Sequence, residues 1–355
     1  MRIKNAILAL AFGVFISACE NDDNGGGEPL PTGDYVDGIL VSNEGPFNNG
    51  TGTVTFISDD LETKEDNIFN TVNNEDLGNI VQSIGFSEDK AYVIANVSNK
   101  ITVVDRFTFE KEAGITTGLN NPRYFVSANG KGYVTNWGDA ADETDDYVAI
   151  IDLQTNTVED TIPVAFGPEK ITVKGSFVYV AHQGGFGQNN IISIIDSDVN
   201  SVSKTITVGD VPNSMQFDID GNLWVLCGGK PSFTGEETAG LLFKVNTTTN
   251  ESFGSLGFTG TQHPSHLSRS GSDFYYNLNG EVYKLSDTAT SLPAASEFSG
   301  LSIYAMTTLD DKLYVTDAKD FASDGEIQRY NADTGAFMDA FTVKVAPNGN
   351  CFFGE

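Results

Sequence analysis

A short strand-like pattern, an aromatic residue followed by β-branched or small residues, recurs about every 40 to 50 residues along this chain. A tight-turn signal precedes each copy, and a second strand-like run that often ends in aspartate follows it. Four short strands fit into each interval, and a related copy at Leu40 brings the number of units to seven. The aromatic copies begin at Tyr92, Tyr133, Tyr179, Trp224, Tyr275 and Tyr314.

This repeat predicts an all-β fold, a seven-bladed β-propeller of four-stranded antiparallel blades. Long apolar segments with a helical period are absent after residue 18, which disfavours α/β alternatives. We expect each repeated aromatic side chain to fill the wedge between two blades. The chain ends on a further strand-like run at 350–353. We predict that this C-terminal strand becomes the innermost strand of the first blade and closes the ring.

Residues 1–18 have the features of a secretory signal peptide. Arg2 and Lys4 supply the positive start, and the apolar run that follows is too short to span a membrane. The run ends in Ile16-Ser17-Ala18-Cys19, which resembles the bacterial lipobox. This resemblance implies cleavage before Cys19 and attachment of a lipid to its thiol. A plain signal peptide followed by a chance cysteine is the alternative.

The segment 19–34 is acidic at first and then rich in Gly and Pro, which predicts a flexible tether ahead of a propeller domain at 35–355. The acidic residues after Cys19 resemble the surface-export signal of Bacteroidota lipoproteins. We therefore expect a lipid-anchored protein of the outer membrane that is exposed at the cell surface, while the periplasmic leaflet stays open. The anchor would be the only membrane contact.

The formal net charge of −29 bears on the choice of partners. A surface this acidic repels nucleic acid and favours solubility, but it does not select a ligand. Cys227 and Cys351 both lie in strand-like runs, so we expect buried free thiols rather than a disulfide framework. We expect a monomeric domain that needs no cofactor.

The long connections of the repeat follow the second strand of a unit. In a propeller these loops emerge on the same face as the loops that enter the next blade, and function concentrates on loops held by a rigid frame. Aromatic residues in such polar loops predict a stacking surface for a planar or amphipathic small molecule. Packing of each ring against its own loop is the alternative. The residues are Phe47, Trp137, Phe186, Phe233 and Phe321.

The loops that enter the blades should ring the mouth of the central channel. Arg123 is one of few cations expected there, and it either clamps an anionic group of a ligand or pairs with a neighbouring carboxylate. His182, at the end of a second strand, is a further candidate for ligand contact. The other candidates are Tyr124, Glu169, Asn213, His263, His266 and Tyr304.

Signals of catalysis are weak in this sequence. Its three histidines, His182, His263 and His266, match no zinc-site spacing, and no G-x-S-x-G nucleophile elbow occurs. The carboxylates between Asp139 and Asp146 lack the spacing of a calcium loop, so we expect a solvated acidic loop and leave calcium binding open. We therefore predict no catalytic and no metal-binding residues, and a protein that is not an enzyme.

Several of these motifs resemble the YncE-like propellers of Bacteroidota, over about residues 36–355. The resemblance implies the propeller fold and an extracytoplasmic location. Some members of that group are surface lipoproteins that capture vitamin B12 and pass it to a TonB-dependent outer-membrane transporter, so a corrinoid and such a transporter are the implied candidates. The motifs are Asn121-Pro122-Arg123-Tyr124-Phe125, Gly132-Tyr133-Val134-Thr135-Asn136-Trp137, Val148-Ala149-Ile150-Ile151-Asp152, Gly167-Pro168-Glu169-Lys170-Ile171 and Gly221-Asn222-Leu223-Trp224-Val225-Leu226-Cys227-Gly228-Gly229.

Three functions are compatible with these features, and they are given in order of preference. The first is capture of a small molecule, such as a corrinoid, on the loop-rich face. The second is a protein-interaction platform at the cell surface. The third is a metal-dependent lactonase or lyase of the propeller type.

Overall fold

A computed structural model of the chain describes residues 32–48, 50–139 and 141–349, together with the backbone of 352–353. Residues 1–31, which include the predicted signal peptide, Cys19 and most of the tether, lie outside the described residues, as does Cys351. Across the described part of the chain, no helix is long and apolar enough to cross a membrane.

Seven antiparallel sheets follow one another along the chain and form the blades of a β-propeller, which confirms the predicted fold class. Blades one to four contain β1 (Gly38–Asn43), β2 (Thr53–Ser58) and β3 (Lys64–Glu65); β4 (Val81–Ser87), β5 (Lys90–Ala95), β6 (Lys100–Asp105) and β7 (Lys111–Ile115); β8 (Pro122–Ala128), β9 (Lys131–Asn136), β10 (Tyr147–Asp152) and β11 (Thr157–Pro163); and β12 (Pro168–Lys174), β13 (Phe177–His182), β14 (Ile191–Asp196) and β15 (Ser201–Thr207).

Blades five to seven contain β16 (Pro212–Phe217), β17 (Leu223–Cys227), β18 (Leu241–Asn246) and β19 (Glu251–Gly257); β20 (Ser265–Ser270), β21 (Asp273–Leu278) and β22 (Glu281–Ser286); and β23 (Ala305–Leu309), β24 (Lys312–Asp317), β25 (Asp324–Asn331) and β26 (Phe337–Val345). The last strand is β27 (Phe352–Phe353), the helix α1 (Ile68–Asn73) precedes the second blade, and a 3₁₀ turn covers Ser232–Thr234. In the sixth blade an isolated bridge between Val282 and Phe298 stands where a fourth strand would lie.

The ring closes through the C-terminal strand. β27 pairs antiparallel with β1, with Phe352 opposite Leu40 and Phe353 opposite Ile39, so the chain end supplies the innermost strand of the first blade. The predicted closure is therefore confirmed. It removes the exposed inner edge that the first blade would otherwise present.

The repeated aromatic side chains fill the interior, as the sequence predicts. Each lies on the second strand of its blade and is at most 3% exposed, at Tyr92, Tyr133, Tyr179, Trp224, Tyr275 and Tyr314. A second strand has a blade on either side, so both of its faces are buried and its sequence is a continuous apolar run rather than an alternating one. Cys227 continues one such run as a buried free thiol, which confirms the expectation for this cysteine, and burial raises its pKa to about 12.

Three of these tyrosines also tie each blade to the next one. Tyr133 donates its phenol proton to Asn200 at 2.7 Å, and Tyr92 and Tyr179 make the corresponding bonds to Asn156 and Asn250. Each asparagine occupies the turn between the third and fourth strands of the following blade, with a φ between 52° and 54°. Asparagine tolerates this left-handed conformation, so one residue type serves both the turn and the bond.

Candidate functional site

The loops after the second strands and the loops entering the blades emerge on one side of the propeller, here called the loop face. Among the loops that follow second strands, the longest are 44–52, 137–146, 183–190 and 228–240. A central cavity of about 790 Å³ opens among the inner strands. Of the predicted rim residues it is lined by Arg123, Tyr124, Glu169, Asn213, His266 and Tyr304, but not by His263.

β-Bulges position these rim side chains. In β8 the residues Arg123 and Tyr124 together face a single residue of β9, and in β12 Glu169 and Lys170 face a single residue of β13 in the same way. Irregularities of register occur at the same place in β4, β16 and β20. A bulge turns a side chain away from the regular alternation of a strand, so two consecutive residues both reach the cavity.

Arg123 and Glu169 form the central ion pair of the rim. The guanidinium donates two hydrogen bonds to the carboxylate, at 2.8 and 2.9 Å, and the ring of Trp137 covers it at 4.0 Å from the ring centroid. Burial opposes the charge of Arg123, but Glu169 outweighs it and raises the pKa of the guanidinium. Of the two roles open for Arg123, pairing with a carboxylate is the one observed.

A second group lies where the first and seventh blades meet. Tyr304 donates a hydrogen bond to Glu44 at 2.9 Å, and the edge of Phe321 packs on the Tyr304 ring at 5.0 Å. Burial raises the pKa of Glu44, although its bonds to Tyr304 and Asn348 act in the opposite direction. Asn348 donates to the carbonyls of Val81 and Gln82, both at 2.8 Å, so it joins the second blade to the closing segment.

A third group comprises Lys170, Tyr124 and His266. The Lys170 ammonium lies 3.8 Å from the centroid of the Tyr124 ring, and all three side chains line the cavity. Burial, and then the charge of Lys170, lowers the pKa of His266 to about 4, so the imidazole is neutral at neutral pH. Its Nδ1 is 2.8 Å from the hydroxyl of Ser265.

The predicted loop aromatics are exposed on the loop face. Phe186 and Phe233 are each 82% exposed, Phe47 is 75% exposed and Phe321 is 54% exposed, whereas Trp137 is half-buried and its ring stacks on the Arg123 guanidinium. Phe47, Phe186 and Phe233 thus keep most of their surface free, whereas Phe321 is about half exposed and also packs on Tyr304. Phe186 and Phe233 belong to adjacent blades, and so do Phe321 and Phe47 across the ring closure.

Two of the predicted site histidines, His182 and His263, do not line the cavity. His182 has no exposed surface, because the last position of β13 points between the blades, and its ring contacts the carbonyl of Phe166 and the hydroxyl of Ser193. The side chain of His182 thus reaches neither the loop surface nor the cavity in this structure, and its contact with a ligand stays a prediction. His263 lies outside the cavity, with Nδ1 at 2.7 Å from the Gly228 carbonyl and Nε2 at 3.1 Å from Glu237.

The acidic loop of the third blade is held by its own hydrogen bonds. Asp145 accepts a bond from the Asp139 amide, and Asp142 accepts two bonds from Thr144. Asp146 differs from them, because it is 2% exposed and burial raises its pKa to about 7. Within the described residues, no group of three or more His, Cys, Asp and Glu side chains is arranged to hold a metal ion.

Sequence reasoning missed several residues that line the cavity. They are Glu44, Gln82, Lys170, Gln183, Ser265 and Asn348. Lys170 carried a usable signal, since it has the same place after Pro168 that Tyr124 has after Pro122. Glu44 and Asn348 had no such signal in the sequence, because only the closure of the ring brings these distant segments together.

The fold and site define a seven-bladed β-propeller whose loop face surrounds a polar cavity. A family profile described as a domain of unknown function (DUF5074) matches residues 37–295, and the chain belongs to this family. A comparison with curated proteins finds no match.

Solved structures share the fold at low sequence identity. A quinonprotein alcohol dehydrogenase-like protein from Bacteroides thetaiotaomicron has 14% identity and a TM-score of 0.65, over 90% of this chain and 79% of its own. A candidate 6-phosphogluconolactonase from Bacteroides uniformis has 12% identity and a TM-score of 0.62, over 89% and 100%. Hydrazine synthase of Kuenenia stuttgartiensis has 15% identity and a TM-score of 0.60, over 86% and 100%. These similarities concern the fold alone.

Proposed function

We propose that the protein is a non-enzymatic surface lipoprotein that captures a large, partly planar small molecule on its loop face, with a corrinoid as the first candidate. The observation that carries this proposal is the exposure of Phe47, Phe186, Phe233 and Phe321 on loops of one face. Exposed apolar groups concentrated in one region are typical of binding surfaces.

The energetics of these side chains fit a binding role. Burial of one phenylalanine contributes about 1.5 to 3 kcal/mol. Contact with two or three of them would therefore supply a substantial share of the roughly 8 kcal/mol that corresponds to micromolar affinity. The rigid blades hold the loops in place, which lowers the ordering cost of binding.

A corrinoid suits this surface chemically. Its macrocycle is broad and largely apolar, which favours contact with aromatic rings. Its rim carries amide groups, and the cavity mouth below the loops is lined by amide side chains such as Gln82, Gln183 and Asn213. Ligand sites commonly combine an apolar surface with a few polar groups that set orientation.

Binding of cobalamin to the full-length protein in detergent, measured by calorimetry, tests the proposal. We expect saturable binding at micromolar ligand, weakened about tenfold or more in the double variant Phe186→Ser, Phe233→Ser, because two apolar contacts are lost. Phe337→Ser is the matched control, since Phe337 is 59% exposed but lies on the outer strand β26. No heat of binding with cobalamin would refute the corrinoid, and equal loss in the control would refute the loop face as its site.

The anchor and the transporter partner belong to the same proposal. We propose lipid attachment at Cys19, outer-membrane location and transfer of the ligand to a TonB-dependent transporter, supported by the lipobox and the acidic residues that follow it. Labelled palmitate should be incorporated by the natural protein and not by Cys19→Ser. A photo-crosslinker placed at residue 233 should recover a transporter from cells, and its recovery equally from residue 337 would argue against a specific docking face.

Protein docking is the second candidate function for the same surface. Phe186 and Phe233 project from their loops with most of their surface free, and projecting aromatic anchors are common hot spots of protein interfaces. Retention of the crosslinked partner without any small-molecule binding would favour this candidate over ligand capture.

A further inference from the structure

Lys170 occupies an unusual position for a cation in so acidic a protein. The chain has 49 acidic residues and 20 lysines and arginines, yet the Lys170 side chain lines the central cavity and is half-buried there. The bulge at the start of β12 turns it inward beside Glu169. The face of the Tyr124 ring, 3.8 Å away, holds the ammonium by a cation–π contact.

The two glutamates that line the cavity with Lys170 are engaged by other groups. Glu169 receives both hydrogen bonds of Arg123, and Glu44 accepts bonds from Tyr304 and Asn348. Among the described residues Lys170 takes part in no ion pair within 4.0 Å. A ring face cannot accept all three N–H groups of an ammonium, so donors remain directed into the cavity.

Tyr124 adds a second donor at the same place. Gln82 donates its amide proton to the Tyr124 phenol oxygen at 3.2 Å, so this oxygen is an acceptor in that bond and the phenol proton is left for another partner. Asn213 and Ser265, from the fifth and sixth blades, also line the cavity. A small group that enters the cavity beside Lys170 would meet a cation and the Tyr124 hydroxyl.

We propose that the cavity binds the anionic group of the ligand, a carboxylate or a phosphate, through the Lys170 ammonium and the Tyr124 hydroxyl. Charge-assisted hydrogen bonds to an oxyanion are the strong class of hydrogen bond, and water is partly excluded from this position. The ligand would then combine an apolar body on the phenylalanines of the loop face with an anionic group that reaches the cavity. This inference rests on the proposed function for the body of the ligand, but the anion site has its own test.

Inorganic phosphate and acetate are the probes, because each has an anionic group without an apolar body. Comparing them shows whether the site prefers a phosphate or a carboxylate. We expect saturable binding of one of them by the full-length protein in detergent. Lys170→Gln should weaken it about tenfold or more and Tyr124→Phe about fivefold, whereas Lys170→Arg should retain it. Lys131→Gln is the control, since Lys131 pairs with Glu159 in the third blade, at the end away from the loop face.

His266 provides a spectroscopic readout at the site. The charge of Lys170 contributes to its low pKa, so an anion on Lys170 should raise the pKa of His266, and Lys170→Gln should raise it without any anion. NMR titration of the imidazole signals measures this shift. The His182 signal is the internal control, since burial and not a neighbouring charge lowers its pKa.

The outcomes separate the two proposals. Binding of phosphate or acetate that Lys170→Gln abolishes supports the anion site even if cobalamin does not bind. Binding of neither probe, or equal affinity in Lys170→Gln and Lys131→Gln with an unmoved His266 titration, overturns the anion site even if the loop face captures a ligand. Retained circular dichroism of the variants shows that loss of binding is not loss of fold.

Discussion

Arg123 of the third blade and Glu169 of the fourth form a bidentate ion pair at the mouth of the cavity, with 2.8 Å from Nε to Oε2 and 2.9 Å from Nη2 to Oε1. Glu169 is 4% exposed and the indole of Trp137 covers the guanidinium, so the pair is shielded from water. It therefore joins the third and fourth blades at the mouth of the cavity.

Removal of one partner of this pair should be costly. Arg123→Met leaves the Glu169 carboxylate buried without its cation, and we expect a loss of about 3 to 5 kcal/mol in the free energy of unfolding. Urea denaturation measures it. The double variant Arg123→Met, Glu169→Leu should recover most of the loss, because no buried charge remains. Lys131→Ala breaks the half-exposed pair with Glu159 and should cost about 1 kcal/mol or less.

The bond between Tyr133 and Asn200 should contribute measurably to the contact between blades. Tyr133→Phe keeps the ring in the core and removes the 2.7 Å hydrogen bond, with an expected loss of about 0.5 to 1.5 kcal/mol. Asn200→Gly is the matching change, because its φ of 53° is accessible to glycine. A double-mutant cycle by thermal unfolding should give a coupling energy of the same size, and strict additivity would show that the bond contributes nothing.

Asp146 should make stability depend on pH. Burial raises its pKa to about 7, and the negative charges of Asp145 and Asp142 act in the same direction. The hydrogen bond from the Gly167 amide to its carboxylate acts in the opposite direction. A carboxyl in the unfolded chain titrates near about pH 4. The contribution of Asp146 is therefore fully present below about pH 4 and is lost as the pH rises to about 7.

Asp146→Asn removes this titration. The free energy of unfolding of the variant, relative to the natural protein, should rise between about pH 4 and pH 7 by about 1 to 3 kcal/mol. Comparing the two proteins cancels the opposite effect of His182, whose pKa of about 4 costs stability as the pH falls below about 6.5. Glu143→Gln, an exposed carboxylate of the same loop, should leave the profile unchanged. Parallel profiles for Asp146→Asn and the natural protein would contradict the assignment.

Asn348 should be important for closure of the ring. Asn348→Asp replaces its amide donor by an acceptor that faces the carbonyls of Val81 and Gln82, so we expect a loss of about 2 to 3 kcal/mol. The C-terminal segment should also become sensitive to limited proteolysis. Asn279→Asp, at an exposed turn with a φ of 56°, should change neither the unfolding temperature nor the proteolysis pattern.

The loop aromatics and the rim residues differ in how far sequence could predict them. Exposure of Phe186 and Phe233 followed from their polar loops, because a ring among Gly and Asn has little core nearby. His182 is buried instead of lying on a loop, because it is the last residue of β13 and one step along a strand decides which way a side chain points. Lys170 was missed because a bulge places two consecutive residues in the cavity. In a regular strand only every second side chain would face it.

The periodic aromatic residues were sufficient to specify the blades, their number and the closing strand, because these depend on local strand patterns that repeat along the chain. The cavity was decided only by the tertiary structure. The pairing of Arg123 with Glu169 and of Glu44 with Tyr304 joins residues of different blades, and the latter pair is 260 positions apart. Such contacts depend on the angle at which blades meet and on bulges in the inner strands, and neither is encoded in a local pattern of residues.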